Sequence, residues 1–196
     1  VYVGSNDATL YALDATTGET AWTFAANGKV ESSPTVANGT VFVGGWESFY
    51  ALDADTGEQR WARDVTVVSS PTVADGTVFV TGAGGSLYAL SAATGETAWT
   101  FRTKSSLRSS PTVAGGIVVF ESLRNVYALD VATGAQQWAF ESGGRSSPTV
   151  VDGTVYVGSE DANVYALRAG VDAESEGSRV RLGTLGHHSG RRGVPE

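Results

Sequence analysis

One interval governs this sequence. A Tyr-Ala-Leu triplet begins at Tyr11, Tyr50, Tyr88, Tyr127 and Tyr165, in steps of 39, 38, 39 and 38 residues. Trp22, Trp61, Trp99 and Trp138 keep the same step. Ser-Ser-Pro-Thr-Val recurs from Ser32, Ser69, Ser109 and Ser146, and Thr-Gly recurs at Thr17, Thr56, Thr94 and Thr133. Four markers sharing one period define a tandem repeat. Such a unit cannot bury its apolar face alone and must stack on its neighbours.

The unit reads as four short strands. In the second repeat, Ser32 to Ala37 is the first strand, with Pro34 suited to an exposed edge. Asn38-Gly39 is a hairpin turn signal. Thr40 to Gly44 and Phe49 to Asp53 are the second and third strands, rich in β-branched and aromatic residues. Asp55-Thr56-Gly57 turns the chain, and Gln59 to Arg63, carrying Trp61, is the fourth strand. Four antiparallel strands in each unit of about 40 residues predict an all-β propeller, one blade per unit. Residues 1 to 24 hold the last three strands of a blade, and 146 to 167 the first three of another. The expectation is about four to five blades over residues 1–167. They form either a piece of a larger seven- or eight-bladed ring or an imperfectly closed five-bladed one.

The repeat lacks the Gly-His and Trp-Asp pairs of WD40 blades. The string Ala12-Leu13-Asp14-Ala15-Thr16-Thr17-Gly18-Glu19-Thr20-Ala21-Trp22-Thr23-Phe24 resembles the PQQ-like (pyrroloquinoline-quinone type) repeat, with its Ala offset shifted by one. In the third unit Ser91 replaces the Asp. The resemblance implies that each repeated Trp is a wedge between blades, docked on the neighbouring Thr-Gly turn. It also implies an extracellular or cell-surface setting. The family includes quinoprotein dehydrogenases, which hold PQQ and Ca²⁺ at the axis, and outer-membrane assembly scaffolds.

Composition narrows the classes. The 196 residues carry a formal charge of −8, with 11 of the 13 basic residues Arg and only Lys29 and Lys104 as lysines. An acidic, Lys-poor surface suits a salt-adapted protein and is a poor nucleic-acid binder. No apolar run approaches the roughly 18 residues of a membrane helix. The lack of Cys removes disulfides and thiolate chemistry, and the lack of Met suggests a processed product or an excised piece. Both histidines, His187 and His188, fall after the repeats, so the repeats hold no Ser-His-Asp set. Gly82-Ala83-Gly84-Gly85 joins strands and opens no helix, so it is not a phosphate loop. No catalytic residue, cofactor or metal ligand is assigned.

The remaining candidates are the residues that break the repeat. In a propeller, the fourth-to-first and second-to-third loops share one face, here the first face. The other loops share the second face. The first face takes seven basic and eight acidic residues, and the second only Arg60 against nine acids. The repeated turn acids account for the second face, so individuality lies on the first. The residue before each Ser-Ser-Pro varies: Glu31, Val68, Arg108 and Arg145. Arg108 and Arg145 are candidates to converge on an anion, with Ser109 and Ser146 as hydroxyl donors. Trp46, unique in its loop and beside Glu47, is a further ligand-binding candidate, as is Glu31.

After Leu167 the repeat fails. Residues 168–196 are Gly- and Arg-rich and are expected to be poorly ordered, with Arg179 to Leu182 a candidate outer strand. The functional expectation is a non-catalytic binding or protein-interaction scaffold, its partner a protein or a small anion. The alternative is a fragment of a PQQ-dependent quinoprotein dehydrogenase.

Overall fold

The computed structural model describes residues 1–144 and 146–170 and the backbone of strand Gly183–Thr184. Among the described residues there are five antiparallel sheets and no helix. The first sheet holds β1 (Tyr2–Gly4), β2 (Thr9–Leu13) and β3 (Thr20–Ala25). The second holds β4 (Thr35–Ala37), β5 (Thr40–Gly44), β6 (Phe49–Asp53) and β7 (Gln59–Arg63). The third holds β8 (Thr72–Ala74), β9 (Thr77–Gly82), β10 (Ser86–Ser91) and β11 (Thr97–Arg102). The fourth holds β12 (Thr112–Ala114), β13 (Ile117–Glu121), β14 (Asn125–Asp130) and β15 (Gln136–Glu141). The fifth holds β16 (Thr149–Val151), β17 (Thr154–Gly158), β18 (Val164–Arg168) and β19 (Gly183–Thr184). Each is an up-and-down meander in chain order. The number and strand count of the sheets match the repeat, and the fold is a β-propeller.

Two boundaries differ from expectation. The innermost strand begins at Thr35 and not Ser32. Pro34 has no N–H to give a ladder, and Ser32 bonds β5 through its side chain instead. Ser32 Oγ donates to Gly44 C=O at 3.0 Å and accepts from Gly44 N–H at 2.7 Å. The outer strand of the fifth sheet lies at Gly183–Thr184, opposite Ala166 and Tyr165. The expected segment Arg179 to Leu182, and most of 168–196, lies outside the described residues.

The core sits between sheets. Leu10 of the first packs with Val41, Val43, Tyr50 and Leu52 of the second, and Phe79 and Leu87 of the third with Val118 and Phe120 of the fourth. The Trp wedges are as the resemblance implied. The indole N–H of Trp22, Trp61, Trp99 and Trp138 each donates at 3.0 Å to a carbonyl of the next sheet, on Ala54, Ala92, Val131 and Ala169. A Cβ on Gly57, Gly95 or Gly134 would lie 2.6–2.7 Å from the docked ring. Glycine is needed twice over there, since φ is +71° to +76° at all three. The first sheet's outer flank is uncovered: Val3 is 45% exposed, whereas its counterparts Val43 and Val80 are fully buried.

Candidate functional site

Most polar repeat residues serve the scaffold. Asp14 Oδ1 accepts from the N–H groups of Thr16 and Thr17 at 2.8 Å. Asp53 and Asp130 cap their turns likewise. The Thr133 hydroxyl, which donates to Asp130 at 2.7 Å, and these backbone donors hold the three carboxyls below the ordinary aspartate range. Asp53, which also accepts from Arg60 at 2.8 Å, is lowered to about 2, with the Arg60 bond the main cause. Ser91 caps the third unit more weakly, at 3.3 Å. The repeated acids are therefore separate turn caps, each in its own sheet.

The first face is built from linkers and loops that bond one another. Trp46 N–H donates to Lys29 C=O at 3.1 Å, and Thr66 Oγ1 donates to Trp46 C=O at 2.6 Å. The loop between β5 and β6 is thus pinned on both sides, while the Trp46 side chain stays half exposed. The Lys29 ammonium lies 5.7 Å from the indole centroid, a cation–π distance. Beside it opens a recess of about 320 Å³ lined by Glu31, Trp46, Val68, Ala83, Leu107 and Arg108, among others. Three of the six candidates, Glu31, Trp46 and Arg108, therefore share one cavity. It holds one carboxylate, one guanidinium and one indole.

The other three candidates are placed differently. Ser109 is buried, and its hydroxyl bridges to the backbone of Glu121, donating to C=O at 2.8 Å and accepting from N–H at 2.7 Å. Ser146 Oγ likewise accepts from Gly158 N–H, at 2.9 Å. Both hydroxyls belong to the Ser–strand clamp seen at Ser32, so they turn into the fold and away from the recess. Arg145 lies outside the described residues.

One residue that the sequence reading left among the surface acids is buried. Glu121 ends β13 with 1% exposure. Its Oε1 accepts from Ser142 Oγ at 2.7 Å, and its Oε2 from Ser146 N–H at 2.7 Å and Ser146 Oγ at 3.0 Å. Burial raises its pKa above the ordinary glutamate value, and the Ser donors oppose the rise. The equivalent strand ends carry Gly4, Gly44, Thr81 and Gly158. A side chain from the linker to the next sheet fills the space over two of these glycines, Val30 at Gly4 and Val67 at Gly44. At Glu121 the sizes are exchanged, since a Cβ on Gly144 would collide with its carboxylate. The sequence signal was a charged residue at a strand end where the other repeats carry Gly or Thr.

The stacked four-stranded sheets and their Trp wedges define a PQQ-like β-propeller. More narrowly, the chain belongs to the family described as outer membrane protein assembly factor BamB, which it matches over residues 1–70 and 47–173. No curated protein matches it. Among solved structures, BamB from Moraxella catarrhalis superposes with a TM-score of 0.77 at 23% identity, over 86% of this chain and 57% of that one. Quinohemoprotein alcohol dehydrogenase from Comamonas testosteroni gives 0.73 at 17%, over 85% and 39%. The computationally designed Ika8 protein gives 0.74 at 17%, over 83% and 53%. These likenesses show the fold, and the chain spans little more than half the length of the first. The dehydrogenases raise the question of a PQQ–Ca²⁺ centre. The side chains do not fit one: among the described residues no three acidic or His groups gather as a metal site. The repeat carboxylates are spent on turns, and Glu121 is spent on Ser142 and Ser146.

Proposed function

We propose that this chain is a non-catalytic scaffold that binds a protein partner on the first face, at the recess of Glu31, Trp46 and Arg108. The observation that carries the reading is the contrast between the two kinds of residue. Side chains that recur in every repeat are used for wedges, caps and clamps, whereas the three that break the repeat meet around one cavity. A large aromatic on a pinned backbone, close to an Arg, has the composition of a binding hot spot. Trp46 loses little conformational freedom on binding, because its loop is already fixed at Lys29 and Thr66. The family description, an outer membrane assembly factor, supports a protein-interaction role and an envelope or cell-surface setting.

Arg108 supplies the anchor for a carboxylate on the partner, and the acidic second face repels acidic segments. The test is affinity capture of partners by the chain and by Trp46→Ala/Arg108→Ala at matched salt, quantified by binding isotherm on the recovered protein. A loss of at least tenfold in the double variant supports the reading. Equal binding by both proteins overturns the site. Dye-linked alcohol oxidation after addition of PQQ and Ca²⁺ would overturn the non-catalytic role.

A further inference from the structure

The linker between the third and fourth sheets differs in charge from the other linkers. Between Glu96 and Glu121 the chain carries Arg102, Lys104 and Arg108 and no acid. In the other linkers each base has an acid close in sequence: Lys29 with Glu31, Arg63 with Asp64, and Arg145 with Glu141. Arg102, Lys104 and Arg108 are all exposed, as is Arg124 in the loop between β13 and β14. Among the described residues none of these four side chains makes an ion pair. A chain of net charge −8 thus leaves four exposed cations unpaired.

Backbone contacts fix the segments that carry them. Arg102 ends β11 opposite Ser86. Thr103 N–H donates to Gly85 C=O at 2.8 Å, and its hydroxyl donates to Ser105 C=O at 2.6 Å. Gly85 has a φ of +81°, and a Cβ there would lie 2.7 Å from the Ser105 carbonyl oxygen, so this close approach requires glycine. Leu107 is fully buried and bridges Ser122, which opens the loop of Leu123 and Arg124. Ser142 N–H holds that loop from the other side, donating to Arg124 C=O at 3.0 Å. Leu123, 38% exposed, adds an apolar spot beside Arg124. The carboxylate of Glu121 is turned inward to Ser142 and Ser146. The recess of Trp46 opens onto the same linker, since Ser106, Leu107 and Arg108 form part of its wall.

We propose that the protein partner reaches this face with an extended acidic segment. One apolar residue of the segment enters the recess beside Trp46, and its carboxylates lie along Arg108, Lys104 and Arg102. This rests on the reading of the recess as a partner site and adds the chemistry of what enters it. The linker is already fixed at Gly85 and Ser122, so binding orders little further backbone. Guanidinium forks hold carboxylates through two parallel bonds. A nucleic acid fits less well. A long polyanion runs past the four cations and meets Glu31, Glu47 and Glu141, all exposed.

The test uses the full chain and a labelled peptide, Gly-Leu-Asp-Glu-Asp-Glu-Gly, read by fluorescence anisotropy at one salt concentration. Near-UV circular dichroism checks that each variant is folded. Saturable binding is expected. Arg102→Glu/Lys104→Glu weakens it about tenfold, as reversal of two contact charges does, and Arg102→Gln/Lys104→Gln weakens it less. The same peptide with Asn and Gln in place of Asp and Glu also binds about tenfold more weakly. No binding at millimolar peptide, equal binding by the charge-reversed chain, or tighter binding of a thymidylate oligonucleotide than of the peptide overturns the proposal. Capture of the protein partner separates this inference from the reading beneath it. Capture lost in Trp46→Ala/Arg108→Ala and kept in Arg102→Glu/Lys104→Glu overturns the acidic segment and leaves the recess standing. Capture kept in both overturns the two together.

Discussion

At the scale of single residues, the repeat separates what packs from what displays. Each Trp wedge crosses from its own sheet to a carbonyl on the next, so its loss removes both apolar burial and a hydrogen bond between sheets. Trp99→Ala is expected to cost about 3 kcal/mol in urea unfolding, near the lower end for aromatic truncation because the ring is partly exposed. A loss under about 1 kcal/mol would mean the indole is no wedge. Glu121 gives a second, opposite handle. Its folded pKa is raised, so the folded state holds the proton longer than the unfolded state does. The penalty is absent below the ordinary value of 4.5 and grows as pH rises through the folded pKa. Glu121→Gln should therefore gain stability relative to the parent between pH 4.5 and 7, measured as the difference in denaturation midpoints. A difference that is flat, or that shrinks with pH, contradicts the assignment. Asp14, Asp53 and Asp130 act the other way. Their stabilisation is complete above the ordinary 3.8 and is lost as pH falls toward about 2, the value for Asp53. The Trp and Asp roles were legible because repetition marks a structural need. Glu121 was not, since an acid at a strand end reads as a surface residue until Gly144 is seen to make room for it.

At the scale of elements, the hairpins explain why strand bounds were readable. The turns Asn38-Gly39, Asp75-Gly76, Gly115-Gly116 and Asp152-Gly153 all have positive φ at both central residues, from +46° to +78°. That is the type I′ geometry that matches strand twist and fixes register. Glycines of the two turn families should respond differently. A Cβ on Gly76 meets nothing within 4 Å, so Gly76→Ala bears only backbone strain, about 1–2 kcal/mol. Gly57→Ala bears the same strain and also collides with Trp22 at 2.6 Å. Its midpoint loss should clearly exceed that of Gly76→Ala, and equal losses would contradict the Trp–Gly docking. Two element features were not legible. A bulge recurs between the third and fourth strands, at Ala12/Leu13, Ala51/Leu52, Ala89/Leu90 and Ala128/Leu129. No turn residue announces it. The innermost strand is shorter than its β-rich sequence suggests, because Ser hydroxyls and Pro replace ladder bonds there.

At the scale of the whole molecule, the asymmetry between faces is the feature that function can use. Repetition puts acids on the second face in every blade, and a net charge of −8 leaves them to repel one another. Raising salt from low to molar concentration should raise the melting temperature by screening that repulsion. A melting temperature independent of salt would remove the salt-adapted reading. On the first face the irregular residues lie together, and the sequence pointed to Glu31, Trp46 and Arg108 only because they interrupt a pattern. That they line one recess required the fold, since they come from three different linkers and loops 15 and 62 residues apart. The account stands most directly on where the partner touches. A photo-crosslinking side chain placed at position 46, and separately at position 55 on the acidic face, should be irradiated with the partner present. The account predicts a discrete adduct from 46, lost with Arg108→Glu, and none from 55. Adducts from both positions, or from 55 alone, would contradict it.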